Sequence, residues 1–449
     1  MREAFVFTLH EASILLDPLK IIPKVNMQLE QSSDSMQGCI WLVKMEEDLP
    51  IDESPFPHRM TVIAEILSER YRVIRYASQL NHKNKKNRSL IGKKHISANY
   101  SLHIIKSLFN YKESKVLRLL HIYLSALQLL LAFVSSNEKP MLIICSMPSP
   151  VNCFVAAFFK KVFSKKTKLI LDSRDLWPDI FNDEVGASLH TKIVSTIMRR
   201  ELIFAVRQAD GLMGISDYFS TSLLRYTEES KITQTFYLLP SAADASNGGS
   251  DLSFLDIDID IDGKVVFVFG GTISKTTFNE LARFIELFPE NERFILLVCG
   301  HGYYYNDLIN LPIKQNIKIL GHLSYEKFTS IKSVASYGVV CVEDRVDYRN
   351  SLSNKFFDYL YSGLPIITNL DGLVGQVVRE NRIGFVYQSD IELQELLLST
   401  ELSSPREIAR LKHNVQDCCS NGFSRKMNIE NIQKFISCVL SIDDETQLN

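Results

Sequence analysis

The feature that most restricts the fold is a regular alternation of short apolar runs and amphipathic stretches, which occurs twice along the chain. The apolar runs of the first series occupy 39–43, 71–76, 141–145, 168–172, 211–215 and 236–239. Those of the second series occupy 264–270, 294–299, 317–320, 337–342 and 365–368. Repeated strand–helix units of this length predict parallel sheets covered by helices on both faces. The chain is therefore predicted to be α/β, with two Rossmann-like, doubly wound domains that face a central cleft.

The domain boundaries follow from a small, polar and Asp-rich tract between the two series. A chain of 449 residues is too long for one ordinary domain. We assign 38–245 to the first domain, 246–263 to a linker, 264–423 to the second domain and 424–449 to a C-terminal helix. Residues 1–37 are an N-terminal extension, for which poor order is one interpretation. Ligands of open parallel sheets bind at the carboxyl ends of the strands, so the cleft is the expected site.

Charge and cysteine usage exclude several classes of protein. The formal net charge of −2 does not suggest a nucleic-acid-binding protein. The 8 cysteines form no Cys-x-x-Cys pair, which favours a reducing compartment without structural zinc. Charged residues interrupt the first 17 positions and the most apolar run, 116–134, so neither a signal peptide nor a membrane span is expected. These observations predict a cytoplasmic protein.

Residues 89–135 are predicted to be helical with breaks and leave two interpretations open. Lys106, Lys112, Lys115 and Arg118 are interleaved with Leu, Ile and Tyr. One interpretation is a patch that rests on the inner membrane. The other is a buried helix with a solvated basic side.

The stretch 353–368 has the pattern of a short helix that ends sharply before a buried strand. Ser353 is a candidate N-cap, and Gly363 and Pro365 end the helix. Lys355 and Asp358 are three residues apart and therefore share one helix face. A cation and a carboxylate beside a helix N-terminus suit a diphosphate and a ribose or sugar hydroxyl. A surface ion pair on an ordinary helix is the structural alternative that the spacing leaves open.

A second distinctive segment follows the strand that ends at Asp172. It brings Arg174, Asp175 and Trp177 to the carboxyl edge of the first sheet. An indole beside a carboxylate and a guanidinium suits a sugar ligand. The alternative is that Trp177 and Pro178 pack the loop against the sheet.

The third segment begins with Gly270 and Gly271, directly after the first strand of the second sheet. Glycines let a backbone approach a diphosphate, and the nearby Lys275 can meet its charge. The following helix is predicted to be capped by Thr277, with Glu280 completing a capping box. A run of alternating aspartates, 258–262, lacks the glutamate of a calcium loop, so no metal site is predicted there.

The chain resembles family 4 glycosyltransferases of the GT-B fold over about residues 38–425. Residues 353–368 are similar to the donor-binding segment of that family, with Leu352 in place of a proline and Asp358 in place of a glutamate. Residues 172–179 resemble the Asp-x-Arg-Asp-Leu-Trp-Pro-Glu sequence of a bacterial subgroup that builds O-antigen, capsule and colanic-acid-type polysaccharides. Arg59 and the segments 78–82, 214–216 and 239–244 are also similar to that subgroup.

The resemblance implies a retaining hexosyltransferase that moves a sugar from a nucleotide-sugar, UDP-linked by expectation, to a lipid-linked saccharide. No cofactor or essential metal is expected, and peripheral inner-membrane contact is compatible with such an acceptor. The residues given catalytic roles are Arg174, Asp175, Lys355 and Asp358. Donor binding is assigned to Gly270, Gly271, Thr272, Lys275, Gly321, Glu343, Ser353, Asn354, Lys355 and Asp358. Arg59 and Trp177 are assigned to the acceptor side.

Two departures from the family pattern keep other functions open. Asn350 stands where many members carry a carboxylate, and Arg345, Asp347 and Arg349 are nearby substitutes. Arg174 falls where many members carry a histidine, and an arginine cannot act as a general base. One alternative is therefore a donor-binding but inactive subunit of a glycosyltransferase complex. A nucleotide-sugar 2-epimerase of the same fold is another, although the Trp177 segment argues against it.

Overall fold

A computed structural model of the protein describes residues 38–52, 58–81, 86–110, 114–181, 186, 188–237 and 261–442. The extension 1–37 and the segment 239–244 lie outside the described residues, as do Lys112 and most of the linker.

The strands of the described residues form two sheets. The strands of the first sheet are β1 (Cys39–Val43), β2 (Arg72–Ser78), β3 (Gly92–His95), β4 (Tyr100–Ile105), β5 (Leu142–Ser146), β6 (Lys168–Ser173), β7 (Gly211–Gly214) and β8 (Ile232–Thr235). Those of the second sheet are β9 (Val265–Gly270), β10 (Phe294–Cys299), β11 (Ile317–Gly321), β12 (Tyr337–Val340), β13 (Ile366–Thr368) and β14 (Gly384–Val386). The strand orders are β3-β4-β2-β1-β5-β6-β7-β8 and β11-β10-β9-β12-β13-β14. All pairings are parallel except that of β3 with β4, which confirms the predicted α/β architecture.

Helices connect most of these strands, apart from β2, β3 and β4, which follow one another without a helix among the described residues. Those of the first half are α1 (Arg59–Ser68), α2 (Lys115–Ser135), α3 (Pro150–Phe163), α4 (Leu189–Gln208) and α5 (Asp217–Ser222), followed by a 3₁₀ turn at Leu223–Tyr226. Those of the second half are α6 (Lys275–Leu287), α7 (Tyr305–Ile309), α8 (Tyr325–Val334), α9 (Val346–Arg349), α10 (Asn354–Tyr361), α11 (Leu373–Asn381), α12 (Asp390–Leu398), α13 (Thr400–Ser403), α14 (Pro405–Gly422) and α15 (Arg425–Leu440).

The inner strands of each sheet, such as β1, β5, β9 and β10, are buried on both faces, which explains why they read as continuous apolar runs rather than alternating ones. Helices α2, α3 and α4 pack on one face of the first sheet, around Trp41 and Phe159. Helices α1 and α15 pack on the other face, so the last helix of the chain contributes Phe435 and Val439 to the core of the first domain. Gly211 permits this contact, since a Cβ there would lie 2.8 Å from Val439.

The strand order changes direction at one point in each sheet. In the first sheet this point is between β1 and β5, where Trp41 is paired with Ile143. In the second sheet it is between β9 and β12, where Phe267 is paired with Tyr337. The helices on either side diverge at such a point and leave a crevice beyond the carboxyl ends of the strands. These two crevices are where ligand-binding residues are expected.

The predicted helix over 89–135 is wrong between 92 and 105, where the structure has the strands β3 and β4. Strand β4 pairs with β2, and residues 100–104 alternate between apolar and polar, which is a strand pattern that the helix prediction overlooked. The turn between the two strands, in which Ile96 N–H donates to the carbonyl of Tyr100, contains Ser97 and Asn99, which are typical turn residues.

Three smaller expectations are also corrected. The last strand of the first sheet is β8, which precedes the expected run at 236–239, because this edge strand is largely polar and half-exposed. Helix α6 begins at Lys275 with Ser274 in the N-cap position, so Thr277 lies inside the first turn rather than capping it. Strand β14 was not predicted, since its three residues are too short to show a pattern.

Candidate functional site

The backbone turn after β9 is shaped by two glycines. A Cβ on Gly270 would lie 2.1 Å from the Phe328 ring, and the Gly270 N–H donates to the Tyr359 hydroxyl at 2.9 Å. Gly271 has a φ of +144°, and a Cβ there would lie 2.4 Å from Cε of Lys355. Gly271 therefore lets the lysine side chain lie directly against the turn.

Lys355 places a poorly hydrated cation at this turn. Its Nζ lies 4.2 Å from the centroid of the Phe269 ring, which provides cation–π stabilisation. Burial lowers the pKa of Lys355 to about 8, although the neighbouring Cys341 thiol acts in the opposite direction. Within the described residues no carboxylate forms an ion pair with it. The ammonium group thus lies at the switch point of the second sheet, and no carboxylate in the described part of the chain acts as its fixed counter-ion.

The helix that carries Lys355 has the predicted start and end. The Ser353 hydroxyl accepts a hydrogen bond from the Phe356 N–H at 3.3 Å, which confirms the N-cap. Gly363 follows the helix with a φ of +69°, as predicted from its position. Asn354 is the first helical residue and is exposed. The N-terminus of α10 therefore directs its amide groups toward the region beside Lys355.

Asp358, the expected ligand of a hydroxyl, forms a buried ion pair instead of facing an open site. Lys332 of α8 donates to its Oδ1, and the Tyr325 hydroxyl lies 3.5 Å from the same oxygen. The side chain of Lys332 is only 2% exposed. Lys332 was not predicted from the sequence, because a lysine at this position of an amphipathic helix looks like an ordinary surface residue.

The remaining predicted donor residues lie on neighbouring loops at the same edge. Thr272, Lys275 and Glu343 are exposed, and the Glu343 N–H ties its loop to the start of α6 through the carbonyl of Thr276 at 2.7 Å. Gly321 ends β11 with a φ of +69°, and its carbonyl accepts from Gly300 N–H at 2.7 Å. The structure thus brings the loops after β9, β11 and β12 to the edge that also holds Lys355.

Asn350 links the two domains. Its carbonyl oxygen accepts a hydrogen bond from the Ser216 hydroxyl, which follows β7 of the first sheet. Its side-chain amide donates to the Val346 carbonyl at 2.7 Å and thereby closes helix α9. The carboxyl edges of the two sheets therefore face each other at this contact, as predicted for the central cleft.

Three charged residues near Asn350 are candidate substitutes for the missing carboxylate. All three are in ion pairs. Arg345 pairs with Asp347, with Nε 3.0 Å from Oδ1, and Arg349 pairs with Asp344. A hydrogen bond from Arg349 lowers the pKa of Asp344. The Asp347 carboxylate is therefore already neutralised by a local partner.

A polar cavity of about 330 Å³, which we call the β1–β6 cavity, opens at the switch point of the first sheet. It lies where the chain leaves β1, β5 and β6. Its lining residues are Lys44, Glu46, Glu47, Asp48, His58, Met147, Pro148, Arg174 and Asp175. Arg174 and Asp175, both predicted from the sequence, therefore lie in one cavity.

Arg174 is held in this cavity by Glu47. Its Nη1 donates to Oε1 of Glu47, and Arg75 donates to the other carboxylate oxygen at 2.8 Å. Burial acts to raise the pKa of Glu47, but the charges of Arg174 and Arg75 prevail and hold it at about 2. Burial acts to lower the pKa of Arg174, but Glu47 and Asp172 prevail and raise it. Glu47 was missed because its partners are 28 and 127 residues away.

The structure corrects the expectation that Arg59 meets an acceptor. Arg59 is 1% exposed, and it donates to Asp172 from Nε at 3.0 Å and from Nη2 at 2.7 Å. It also donates to the carbonyl groups of Gly214 and Phe236. Burial lowers the pKa of Arg59, with Asp172 opposing that effect. Arg59 therefore joins α1 to β6, β7 and the residue after β8, inside the domain.

The structure likewise supports the packing alternative for Trp177. The ring is 8% exposed and meets Phe181 edge to face, with ring centroids 4.9 Å apart. Met198 and Phe219 belong to the same apolar cluster. The indole therefore anchors the loop after β6 and leaves little ring face for a sugar.

The comparison with known proteins found solved structures that are similar to this chain. No protein-family model matches the chain, and no match was found among curated proteins. Sucrose-phosphate synthase from Thermosynechococcus elongatus is similar with a TM-score of 0.68 and 12% identity, over 91% of this chain and 100% of that one. WaaG, a glycosyltransferase involved in lipopolysaccharide biosynthesis, is similar with a TM-score of 0.58 and 12% identity, over 90% and 99% of the two chains. HepE from Anabaena, solved in complex with UDP-glucose, is similar with a TM-score of 0.58 and 12% identity, over 89% and 100%.

These likenesses establish the fold. The similarity covers both domains and nearly the whole of each compared chain, so the two-domain arrangement as a whole is shared. The protein therefore has the GT-B fold.

Proposed function

We propose that the protein is a glycosyltransferase that uses a nucleotide-sugar, most simply a UDP-sugar, as donor. The observation that carries the proposal is the position of Lys355, a cation without a carboxylate partner in the described residues, over Gly271 at the switch point of the second sheet. A diphosphate placed there would meet the ammonium group, the turn after β9 and the N-terminus of α10. The structural likeness to sucrose-phosphate synthase, WaaG and UDP-glucose-bound HepE supports the same assignment.

The proposed catalysis is electrostatic. Fixed positive charge on Lys355 and Lys275, together with the amides of the α10 N-terminus, would stabilise the nucleoside diphosphate as it leaves the sugar. The resemblance to family 4 glycosyltransferases suggests retention of the anomeric configuration. No metal is required in this account, because lysine and amide groups supply the positive potential. Arg174 and Asp175 would act from the opposite side of the cleft, next to the acceptor.

We further propose a lipid-linked saccharide as acceptor, in the biosynthesis of a surface polysaccharide such as O-antigen or capsule, by a cytoplasmic protein that contacts the inner membrane. Helix α2 supports membrane contact through an exposed apolar stripe at intervals of three, four and seven residues. The stripe contains Val116, Leu120, Leu127, Leu131 and Val134. Within the described residues, Val116–Ser135 is also the one helix long and apolar enough to span a membrane, with a mean hydropathy of 1.8.

The opposite side of α2 argues that this helix lies on the membrane rather than across it. Ile122, Ala126, Leu129 and Phe133 are buried in the core of the first domain. A spanning helix would have to leave that core and expose it to water. An amphipathic helix in the interface can keep these contacts while its apolar stripe enters the lipid.

The neighbouring helix α4 extends the same surface. Its exposed Leu189, Ile193 and Ile197 recur every four residues. Leu119 of α2 and Val194 of α4 pack against the same apolar cluster, so the two helices approach each other at that point. Burial raises the pKa of Glu201, the one acidic residue of these two helices, to about 7, so negative charge on this surface is low. A surface with little negative charge can approach anionic lipids, because it does not repel their headgroups.

A donor screen with turnover as its readout tests the proposed activity. The protein is incubated with UDP-, GDP- and other nucleotide-sugars and with bacterial lipid-linked saccharides, in EDTA and then in magnesium. We expect acceptor-dependent release of one nucleoside diphosphate at equal rates in both buffers. If no nucleotide-sugar is bound or consumed, the proposed function is wrong. A rate that requires magnesium would overturn the metal-independent mechanism alone.

An inactive, donor-binding subunit is the second candidate, and one observation favours it. The Asn350 side chain is an amide that closes helix α9, and the Asp358 carboxylate is paired with Lys332. Neither residue therefore offers a carboxylate to a donor sugar. Donor binding without turnover, followed by turnover when a partner protein is co-expressed, would support this candidate over an independent enzyme.

A further inference from the structure

The β1–β6 cavity contains a chain of contacts that runs outward from the protein core. Arg75 is fully buried, and it donates to the Thr61 hydroxyl at 2.7 Å and to the Asp48 carbonyl at 3.3 Å. It also donates to Oε2 of Glu47, whose side chain is buried as well. Glu47 in turn accepts from Arg174, the partly exposed member of the series.

This chain of contacts fixes the direction of the Arg174 guanidinium. Arg75 cannot move without leaving its buried partners, and Glu47 cannot move without leaving a buried arginine unpaired. An arginine held at one end by a carboxylate still has guanidinium N–H groups available on its other side. Arg174 therefore presents donors to the cavity in a fixed orientation, while much of its charge is already balanced by Glu47.

The other charged groups around the cavity make it unsuited to an anion. The lining holds two basic side chains, Lys44 and Arg174, and four carboxylates, two of which have an arginine partner outside the lining: Glu47 pairs with Arg75 and Glu46 with Arg118. The Lys44 ammonium is directed away to the Met147 carbonyl. His58 lies 3.3 Å from Asp48, Nε2 to Oδ2. Carboxylates accept hydrogen bonds from hydroxyl groups but repel a second carboxylate or phosphate.

We propose, on the basis of the proposed function, that the β1–β6 cavity binds an uncharged or amino sugar of the acceptor and discriminates against an acidic sugar. Glu47 is the positioning residue, which acts by holding Arg174 against that sugar. The sequence of contacts from Thr61 through Arg75 and Glu47 to Arg174 gives the cavity a rigid wall on which hydroxyl groups can be selected.

Binding of three small probes, measured without turnover, tests the proposal. Methyl glycosides of a neutral hexose, a 2-amino-2-deoxyhexose and a hexuronic acid are titrated into the protein and followed by saturation-transfer NMR. We expect the first two to bind and the hexuronide to bind at least about tenfold more weakly. Glu47→Gln keeps the size of the side chain but loses its charge, and should weaken binding of the neutral glycoside about tenfold. Its affinity for UDP should stay within about twofold, because the donor side is unchanged.

Matched variants separate positioning from general destabilisation. Asp210→Asn removes the carboxylate of an ion pair with Lys160 in the same domain, at the opposite edge of the first sheet, and should leave glycoside binding unchanged. Arg174→Gln should reproduce the loss seen in Glu47→Gln and, as a change at a partly exposed position, serves if Glu47→Gln does not fold. The proposal is overturned if the hexuronide binds as well as the neutral glycoside, if no glycoside binds, or if Glu47→Gln and Arg174→Gln leave binding intact. Absence of UDP binding by the wild-type protein would instead contradict the proposed function.

Discussion

The ammonium group of Lys355 lies 4.2 Å from the centroid of the Phe269 ring, at the carboxyl end of the strand that carries Phe269. The aromatic ring and the Gly271 turn shield the cation from water on two sides, and burial lowers its pKa to about 8. A cation in such a place gains more from an incoming anion than an exposed lysine does, because less of its attraction is screened. This relationship is the basis of the donor site.

The shifted pKa of Lys355 predicts a pH dependence for donor binding. In the free protein the lysine loses its proton as the pH rises through about 8, whereas a bound diphosphate favours the protonated form. We therefore expect UDP affinity to fall above pH 8 and binding near pH 8.5 to take up a proton. Calorimetry in buffers of different ionisation enthalpy measures that uptake. Lys355→Met should abolish it, and an equal uptake in this variant would contradict the assignment.

Gly271→Ala should damage the donor site more than it damages the fold. The new Cβ would lie 2.4 Å from Cε of Lys355, so the lysine must move away from the turn. The positive φ adds a strain of about 1–3 kcal/mol. Gly263→Ala is the control, since Gly263 also has a positive φ but no atom within 4 Å of the added Cβ. We expect both variants to lose stability in thermal unfolding, but a donor KM raised at least about tenfold only in Gly271→Ala. Equal donor KM values in the two variants would show that the position of Lys355 does not depend on this turn.

The Lys332–Asp358 pair should behave as a buried ion pair. Lys332→Met alone leaves the Asp358 carboxylate without its cation, and should cost about 3–5 kcal/mol in the free energy of unfolding. The double variant with Asp358→Leu should recover much of that loss, because no buried charge remains. Chemical denaturation of the two single variants and the double variant measures the coupling. If the loss of unfolding free energy in the double variant equals the sum of the two single losses, the pair does not hold α8 to α10.

The apolar stripe of α2 should be required for vesicle binding. Leu131→Glu places a charge at a position that is 61% exposed, so the fold should tolerate it while insertion into lipid becomes unfavourable. Leu398→Glu, at a position that is 76% exposed on α12 of the second domain, is the control. Co-sedimentation with vesicles containing anionic lipid should fall at least about fivefold for the first variant only. Equal binding by both variants would remove α2 from the membrane contact.

The parts of the fold that were predicted correctly are those with strong local signals. Strands such as β9 and β10 are continuous apolar runs, and helix α10 is bounded by Ser353 and Gly363. The loops after β6 and β9 were recognised for the same reason, because each directly follows a buried run. The hairpin of β3 and β4 was missed, since β3 is polar and exposed and the alternation in β4 covers only residues 100–104.

The partners of buried charges could not be predicted, because they are distant in sequence. Arg59 looks like an ordinary helix residue until Asp172, 113 positions later, is placed beside it. Lys332 and Glu47 carry no local sign of burial for the same reason. Within the candidate site, residue types could be selected from the sequence, but whether a charge faces a ligand or a protein partner depends on the tertiary fold.

Calorimetric titration of UDP into the wild-type protein and into Lys355→Met, in EDTA, tests the donor site most directly. The variant keeps most of the length and the apolar stem of the side chain and removes the ammonium group, so its melting temperature should stay near that of the wild type. We expect micromolar binding by the wild type and a loss of at least about a hundredfold in the variant. Equal affinity in the two proteins, or no binding of UDP to the wild type, would contradict the proposal that Lys355 holds the diphosphate of a UDP-sugar donor.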